Sequence, residues 1–312
     1  MSQLAFILSL GLLQNTLRTA TPVVICALGC LLTDHVGMMN IGCDGMMLIG
    51  AFAAVMGSWV CGSWGMGLVF ALTAGLILGL LYGVFVIKFK SDEFIIGVAL
   101  NIFAGGLTTF LLRELTGQSG TFHAPEGGLS TLPRLSAPWL DKIPVLGQLL
   151  NNNTLLVYVS WVLVLLCWVL IYRTPMGFWL RSAGEHPQSL RSAGKSPERM
   201  KYIASLLCGM LACLSGAHLS LGYLSTFSEN MSSSRGFIAV ACVIFGRSNP
   251  PKVFLAALLF GFIDALGMRL QSLGISSALT AIFPYVGTIL MMVLLVWRTE
   301  MKKKKLATQP VK

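Results

Sequence analysis

The uncharged runs of this chain restrict its fold more than any other feature. Residues 19–33, 45–87, 94–112, 143–172, 202–228, 236–246, 253–263 and 270–297 contain no Asp, Glu, Lys or Arg. About 20 apolar residues cross a hydrocarbon layer of roughly 30 Å as a helix, with every backbone polar group satisfied internally. With 55% hydrophobic and 11% charged residues and a mean hydropathy of +0.77, the 312-residue chain has too little polar surface for a soluble globular protein. The expected fold is all-α, a polytopic integral membrane helical bundle of about eight to ten spans including broken or re-entrant helices. No room is left for a soluble catalytic domain.

Run length sorts the spans. The 45–87 run is long enough for two helices, and Gly57, Cys61, Gly62, Ser63, Trp64 and Gly65 supply the breakers and interfacial Trp of a turn at its midpoint. The 143–172 run becomes helical from about Thr154. Runs 236–246 and 253–263 are too short to cross alone and predict broken or re-entrant helices. Residues 4–17 predict a further short helix. Gly75, Gly79 and Gly83, at four-residue spacing, predict close packing of one helix on another. The first charged side chain is Arg18 and no small-residue cleavage pattern follows an apolar core, so the N-terminus is expected to be retained.

Charge then orients the bundle. The net charge of +10 first reports which loops face the cytoplasm, rather than nucleic acid. Segment 173–201 holds Arg173, Arg181, Arg191, Lys195, Arg199 and Lys201 against Glu185 and Glu198, and the tail over 299–312 adds Lys302–Lys305 and Lys312 against Glu300. Both are expected inside, which makes the C-terminus cytoplasmic. The 113–153 loop balances Arg113, Arg134 and Lys142 with Glu114, Glu126 and Asp141, and is expected outside. Alternation then places 88–93 and 247–252 on the cytoplasmic side.

Three constellations carry possible chemistry. In the first, two Gly and two polar side chains interrupt apolar sequence from Met39 to Gly50. If the segment from Asn40 is helical, Asn40 and Asp44 share a face and line a polar pathway; alternatively Asp44 caps the helix that follows it. Asn101, centred in its run, either lines the same pathway or bonds across helices. The second is the segment from Arg173 to Pro197. Pro175, Pro187 and Pro197 suit first helical positions, Thr174 and Ser196 suit N-caps, and Gly184 and Gly194 suit positions just past a helix end. A helix over about 187–193 follows, too short to persist without a docking surface in its own bundle or on a partner. The third comprises Ser232-Ser233-Ser234-Arg235-Gly236 and the turn Phe245–Lys252. Short helices joined by turns are the broken-helix pattern of transporters, and Asp264 and Arg269 read as markers of the outer interface.

Other chemistries lack their residues. Gly194-Lys195-Ser196 is no phosphate-binding loop, since position 189 is Ser and Pro197 follows at once. His35, His123, His186 and His218 lack ligand spacing, and His218 reads as a hydrogen-bonded core residue. Cys26, Cys30, Cys167, Cys208, Cys213 and Cys242 lie in apolar runs without paired-cysteine spacing and read as reduced packing residues, with Cys43 and Cys61 nearer polar loops. No catalytic, metal or cofactor site is expected in the chain.

Together these segments, from about residue 16 to 298, resemble the permease subunits of ATP-binding-cassette (ABC) importers in the family handling branched-chain amino acids, simple sugars and nucleosides. The resemblance rests on Asn40-Ile41-Gly42-Cys43-Asp44-Gly45 with Met47–Phe52, and on Arg173-Thr174-Pro175, Gly177, Leu180-Arg181, Gly184-Glu185-His186-Pro187 and Ala193-Gly194. It extends through Gly222-Tyr223, Gly236–Val240, Phe245-Gly246-Arg247, Pro250, Leu259–Phe262, Asp264–Leu266, Arg269–Gln271 and Pro284-Tyr285. The last set, with the Gly117–Phe122 loop, is most similar to the nucleoside-type branch. Departures include Asp44 where Glu is usual, Ser234 where Gly is usual, and His218 where an aromatic is common.

The resemblance implies a permease domain over 1–298 that moves a nucleoside, or a related sugar-containing solute, across the bacterial inner membrane without covalent chemistry of its own. A simple sugar such as ribose, or ion-coupled transport through Asp44 or Asp264, are the alternatives. It also implies a cytoplasmic ABC ATPase that binds the ATP and Mg, a second permease subunit, identical or related, and an extracytoplasmic substrate-binding protein. The 173–201 segment becomes a coupling segment, with Arg181, Glu185, His186, Pro187 and Arg191 as its ATPase-facing candidates. Asn40, Asp44 and Asn101 remain the pathway candidates.

Overall fold

The structure, a computed structural model, describes residues 10–124, 128–135 and 151–272, with positions 282, 286, 287 and 293. Expectations resting on residues 4–9, on Glu126, Asp141 and Lys142, on most of 273–297 with Pro284-Tyr285, and on the 299–312 tail lie outside the described residues.

Helix α1 spans Leu10–His35, α2 Cys43–Cys61 and α3 Trp64–Gly83, which runs on as a π-helical turn over Val84–Lys88; α4 spans Glu93–Thr116. Next come α5 (Leu155–Arg173), α6 (Pro175–Glu185), α7 (Pro187–Ser192) and α8 (Pro197–Ala217), the last extended by π-helical His218–Leu224. α9 (Arg235–Gly246) and α10 (Pro250–Ser272) complete the described helices. Two-residue strands pair outside the helices, β1 (Thr121–Phe122) with β4 (Phe227–Ser228) and β2 (Arg134–Leu135) with β3 (Asn153–Thr154). Among the described residues seven helices are long and apolar enough to cross a membrane, and α9 is a shorter apolar helix. The chain is a polytopic helical bundle.

Local chemistry sets most boundaries. Gly62 ends α2 in the left-handed region at φ 63°, splitting the 45–87 run where its breakers lie. Asp92 caps α4, its side chain accepting from the Phe94 and Ile95 N–H groups. Two expectations are corrected. The 253–263 run is not a short helix but the middle of the 23-residue α10, because Asp264 is paired within the bundle and so does not end the span. Likewise, residues 10–17 and 19–33 are not separate, since α1 continues through Arg18, whose guanidinium reaches the Asn152 carbonyl at 2.9 Å and Asn153 Oδ1 at 3.2 Å.

Helices α1, α2 and α8 form the centre, while α3, α4 and α5 turn apolar side chains such as Ile77, Ile102 and Leu165 outward, as lipid-facing helices do. The Gly75 and Gly79 stripe packs on α8, where an added Cβ would lie 2.5 Å from the Gly209 carbonyl oxygen or the Ser205 carbonyl oxygen. Ser205 Oγ also donates to the Gly79 carbonyl at 2.6 Å, so the pair combines contact with an interhelical hydrogen bond.

The turns divide between two ends. At one, Ser248 Oγ donates to Asp34, Asn249 donates to Tyr172 Oη at 3.4 Å, and Lys90, Arg191 and Lys201 surround one cavity. At the other, Ser58 Oγ donates to the Ser130 carbonyl at 2.6 Å and Trp59 meets Phe122 edge to face. The first end gathers the basic segments 88–93, 173–201 and 247–252.

Candidate translocation site

Between α1 and α2 the chain climbs back into the bundle without helical structure, a path tolerated only where protein surrounds it. Two of the candidate polar side chains hold it. Asn40 Oδ1 accepts from the Gly42 N–H at 2.9 Å, closing a local turn that keeps Asn40 outside α2. Asn101 of α4 accepts from the Gly45 N–H at 2.7 Å and donates to the Ile41 carbonyl at 3.1 Å. Asn40 and Asp44 therefore do not share a helix face, since α2 begins only at Cys43 with Gly42 as its N-cap.

Asp44 does act as a cap, but of a different helix. Its carboxylate accepts from the Gly236 N–H at 2.9 Å and from Ser232 Oγ at 3.0 Å, closing the start of α9. The negative charge faces unsatisfied N–H groups and the positive end of the helix dipole. Gly236 permits the approach, as a Cβ there would stand 2.4 Å from Asp44 Cα.

The start of α9 borders a cavity of about 450 Å³ between α1, α9 and α10, within the size range of small-molecule sites. Thr19, Asn230, Ser233, Arg235, Asp264 and Gln271 supply its polar wall, and Val23, Ile238 and Phe260 its apolar wall. Arg235 and Asp264 pair across it at 3.3 Å, their side chains 21% and 31% exposed. The wall thus offers donors and acceptors with its charge internally balanced. Asp264 lines this cavity with Arg235 as its partner.

This wall escaped the pathway candidates. The serine run before Arg235 and the carboxylate inside a span were its signals, but their pairing across 29 residues is visible only in the fold. Asn40, Asp44 and Asn101 are not among the cavity-lining side chains; they staple the backbone beside it. His218, expected to be hydrogen-bonded, is buried with neither ring nitrogen partnered within the described residues.

At the basic end, Thr174 caps α6, its Oγ1 accepting from the Gly177 N–H, and Pro187 opens α7. Leu190 is buried with Val36, Met38, Leu180, Ala183 and Ala204, whereas Glu185, His186, Pro187, Gln188 and Ser189 are exposed. Arg191 pairs with Glu198, and the Arg181 guanidinium lies over the Tyr172 ring at 5.4 Å. Gly194 follows α7 at φ 74°, as its position predicts. Gly184 instead lies inside α6, where a Cβ would meet the His35 carbonyl oxygen at 2.4 Å.

Membrane-length helices with a polar, charge-balanced cavity bordered by a short helix are the architecture of a membrane transporter. The chain belongs to the family of branched-chain amino acid transport system permease components, whose family model matches residues 12–297. It is 31% identical over 303 residues to the guanosine ABC transporter permease protein NupQ of Bacillus subtilis, covering 92% of each chain. It is 29% identical over 294 residues to the nucleoside ABC transporter permease protein NupC of Lactococcus lactis, covering 91% of each. The glucose ABC transporter permease protein TsgB13 of Haloferax volcanii is 28% identical over 285 residues, 86% of this chain and 73% of that one. No solved structure gives a significant match.

Proposed function

We propose that this chain is a permease subunit of an ATP-driven importer and that its substrate is a nucleoside or a related uncharged, sugar-containing solute. The observation that carries the substrate class is the charge balance of the cavity. An amino acid zwitterion needs separate, uncompensated partners for its carboxylate and ammonium groups, whereas Arg235 and Asp264 spend their charges on each other. What the wall presents around that pair is hydroxyl and amide chemistry from Thr19, Ser233, Asn230 and Gln271, suited to ribose hydroxyls and base edges. Similarity to guanosine and nucleoside permeases supports the same reading.

In this reading the chain performs no covalent chemistry. An ABC ATPase at the basic, cytoplasmic end binds ATP and Mg, a second permease completes the pathway, and a substrate-binding protein delivers from outside. The exposed face of α6 and α7 around Glu185, His186 and Pro187 is the ATPase contact. Arg181 and Arg191 serve it indirectly, one through the Tyr172 ring and one through Glu198. Asn40, Asp44 and Asn101 hold the wall of the pathway in shape. The test is reconstitution with the cognate ATPase and binding protein, measuring uptake of labelled guanosine, ribose and leucine. Guanosine uptake that requires ATP is expected. Leucine as the preferred solute would overturn the substrate class, and uptake driven by a proton gradient without ATP would overturn the energy source.

A further inference from the structure

Four cysteines scattered in sequence converge at one point. Cys26 and Cys30 lie one turn apart on α1, Cys43 opens α2, and Cys208 is on α8; all four are buried. The Cys30 and Cys43 sulfurs are 3.0 Å apart, those of Cys43 and Cys208 3.5 Å, and those of Cys26, Cys30 and Cys43 all lie within 4.8 Å of one another. A metal bound at about 2.3 Å by three sulfurs in a plane holds them about 4 Å apart, a spacing this group brackets. We propose that the cluster is a binding site for a soft monovalent metal cation of the Cu(I) and Ag(I) class.

The surroundings choose the ion. Every candidate ligand is a thiol, which selects soft metals over hard ones. Coordination number and burial select the charge: three sulfurs fall one short of the tetrahedral set a structural divalent ion takes, and one thiolate with two retained thiols around a monovalent ion leaves no net charge in the apolar bundle. The one displaced proton passes to solvent. Asn40 Nδ2 donates toward Cys208 Sγ at 3.4 Å and toward Met46 Sδ at 3.6 Å, so an amide donor steadies the sulfur side of the site. The neighbouring irregular segment carries Met38, which is buried, and Met39, which is exposed. A bound ion would join α1, α2 and α8, the three central helices.

The test uses the full-length protein in detergent, on a Cys61→Ser background because Cys61 is exposed and would bind silver adventitiously. After exposure to Ag(I) and gel filtration against a competing thiol, a single silver ion per chain is expected. Cys30→Ser and Cys43→Ser should each weaken retention by more than about tenfold, while Cys167→Ala leaves it unchanged. A second measurement needs no cluster variant. Silver should protect Cys26, Cys30 and Cys43 from alkylation during unfolding, read by mass spectrometry, and leave Cys167 and Cys242 unprotected. No retained silver in the parent, retention in both serine variants at the parent's level, or uniform protection of all cysteines would each overturn the proposal.

Discussion

Asp44 shows how a single side chain joins distant parts of the bundle. Its carboxylate occupies the N-terminus of a helix 192 residues downstream, so Asp44→Ala would leave the Gly236 N–H and the Ser232 hydroxyl buried without an acceptor. At about 1–3 kcal/mol for each such group, the variant should melt well below the parent in detergent. Asp44→Asn keeps an acceptor and loses mainly the charge–dipole interaction, about 0.3–1 kcal/mol, so its melting point should fall between the two. Equal melting of Asp44→Ala and parent would remove the capping role. The Arg235–Asp264 pair makes a second prediction at this scale. Removing one partner strands the other charge, a cost of up to about 3–5 kcal/mol for fully buried pairs and less at this partial exposure. Arg235→Gln with Asp264→Asn together should therefore be more stable than either alone in thermal unfolding. Additive losses would mean the two side chains do not interact. A capping role was one of two readings open to Asp44 beside a break, the other being pathway lining, and the sequence did not choose between them. Which helix it caps was not legible either, since local sequence speaks only of near neighbours.

At the level of the element, α7 divides its residues by task. Leu190, 3% exposed, seats the six-residue helix in a small apolar cluster, while His186 to Ser189 form its free face. Leu190→Ala should cost about 2–5 kcal/mol of local packing and loosen the whole segment. His186→Glu and Gln188→Glu touch nothing that holds the helix, so they should leave the melting point unchanged. They should still weaken ATPase co-purification and ATP-driven uptake if this face meets the ATPase. Wild-type association and coupling in both variants would return α7 to a purely internal role. The Pro and Gly punctuation of this segment was readable because caps act within a turn of themselves. Gly184 misled because its constraint is tertiary: the His35 carbonyl oxygen, not a helix end, excludes a side chain there. The same distinction separates α9 from α10. Both begin as short uncharged runs, but only Asp264 has a charged partner that lets its helix continue through it.

For the whole molecule, the fold adds something that charge counting alone lacked. Charge puts 173–201 on one side and alternation adds 88–93 and 247–252, and the structure brings them to one end through Asp34, Ser248, Tyr172 and the cavity around Lys90, Arg191 and Lys201. The charge-poor turn at Cys61 to Trp64 and the residues of 113–153 that are described meet at the opposite end. Because basic residues near span ends are generally retained in the cytoplasm, this segregation is the basis of the proposed orientation, in which no single loop can be inverted without dragging its helices with it. The native cysteines make the orientation measurable with little engineering. Cys61 is exposed at the charge-poor end, and the seven others are buried. In intact cells an impermeant maleimide should therefore label the otherwise unmodified protein at Cys61. A Cys61→Ser, Ser192→Cys variant, with its new thiol on the exposed basic end, should label only after the membrane is permeabilised. Labelling of Ser192→Cys in intact cells, with Cys61 protected, would turn the bundle over. It would place α7 where no cytoplasmic ATPase can reach it, leaving the polar cavity beside Arg235 and Asp264 to be explained by a transporter that draws its energy from another source.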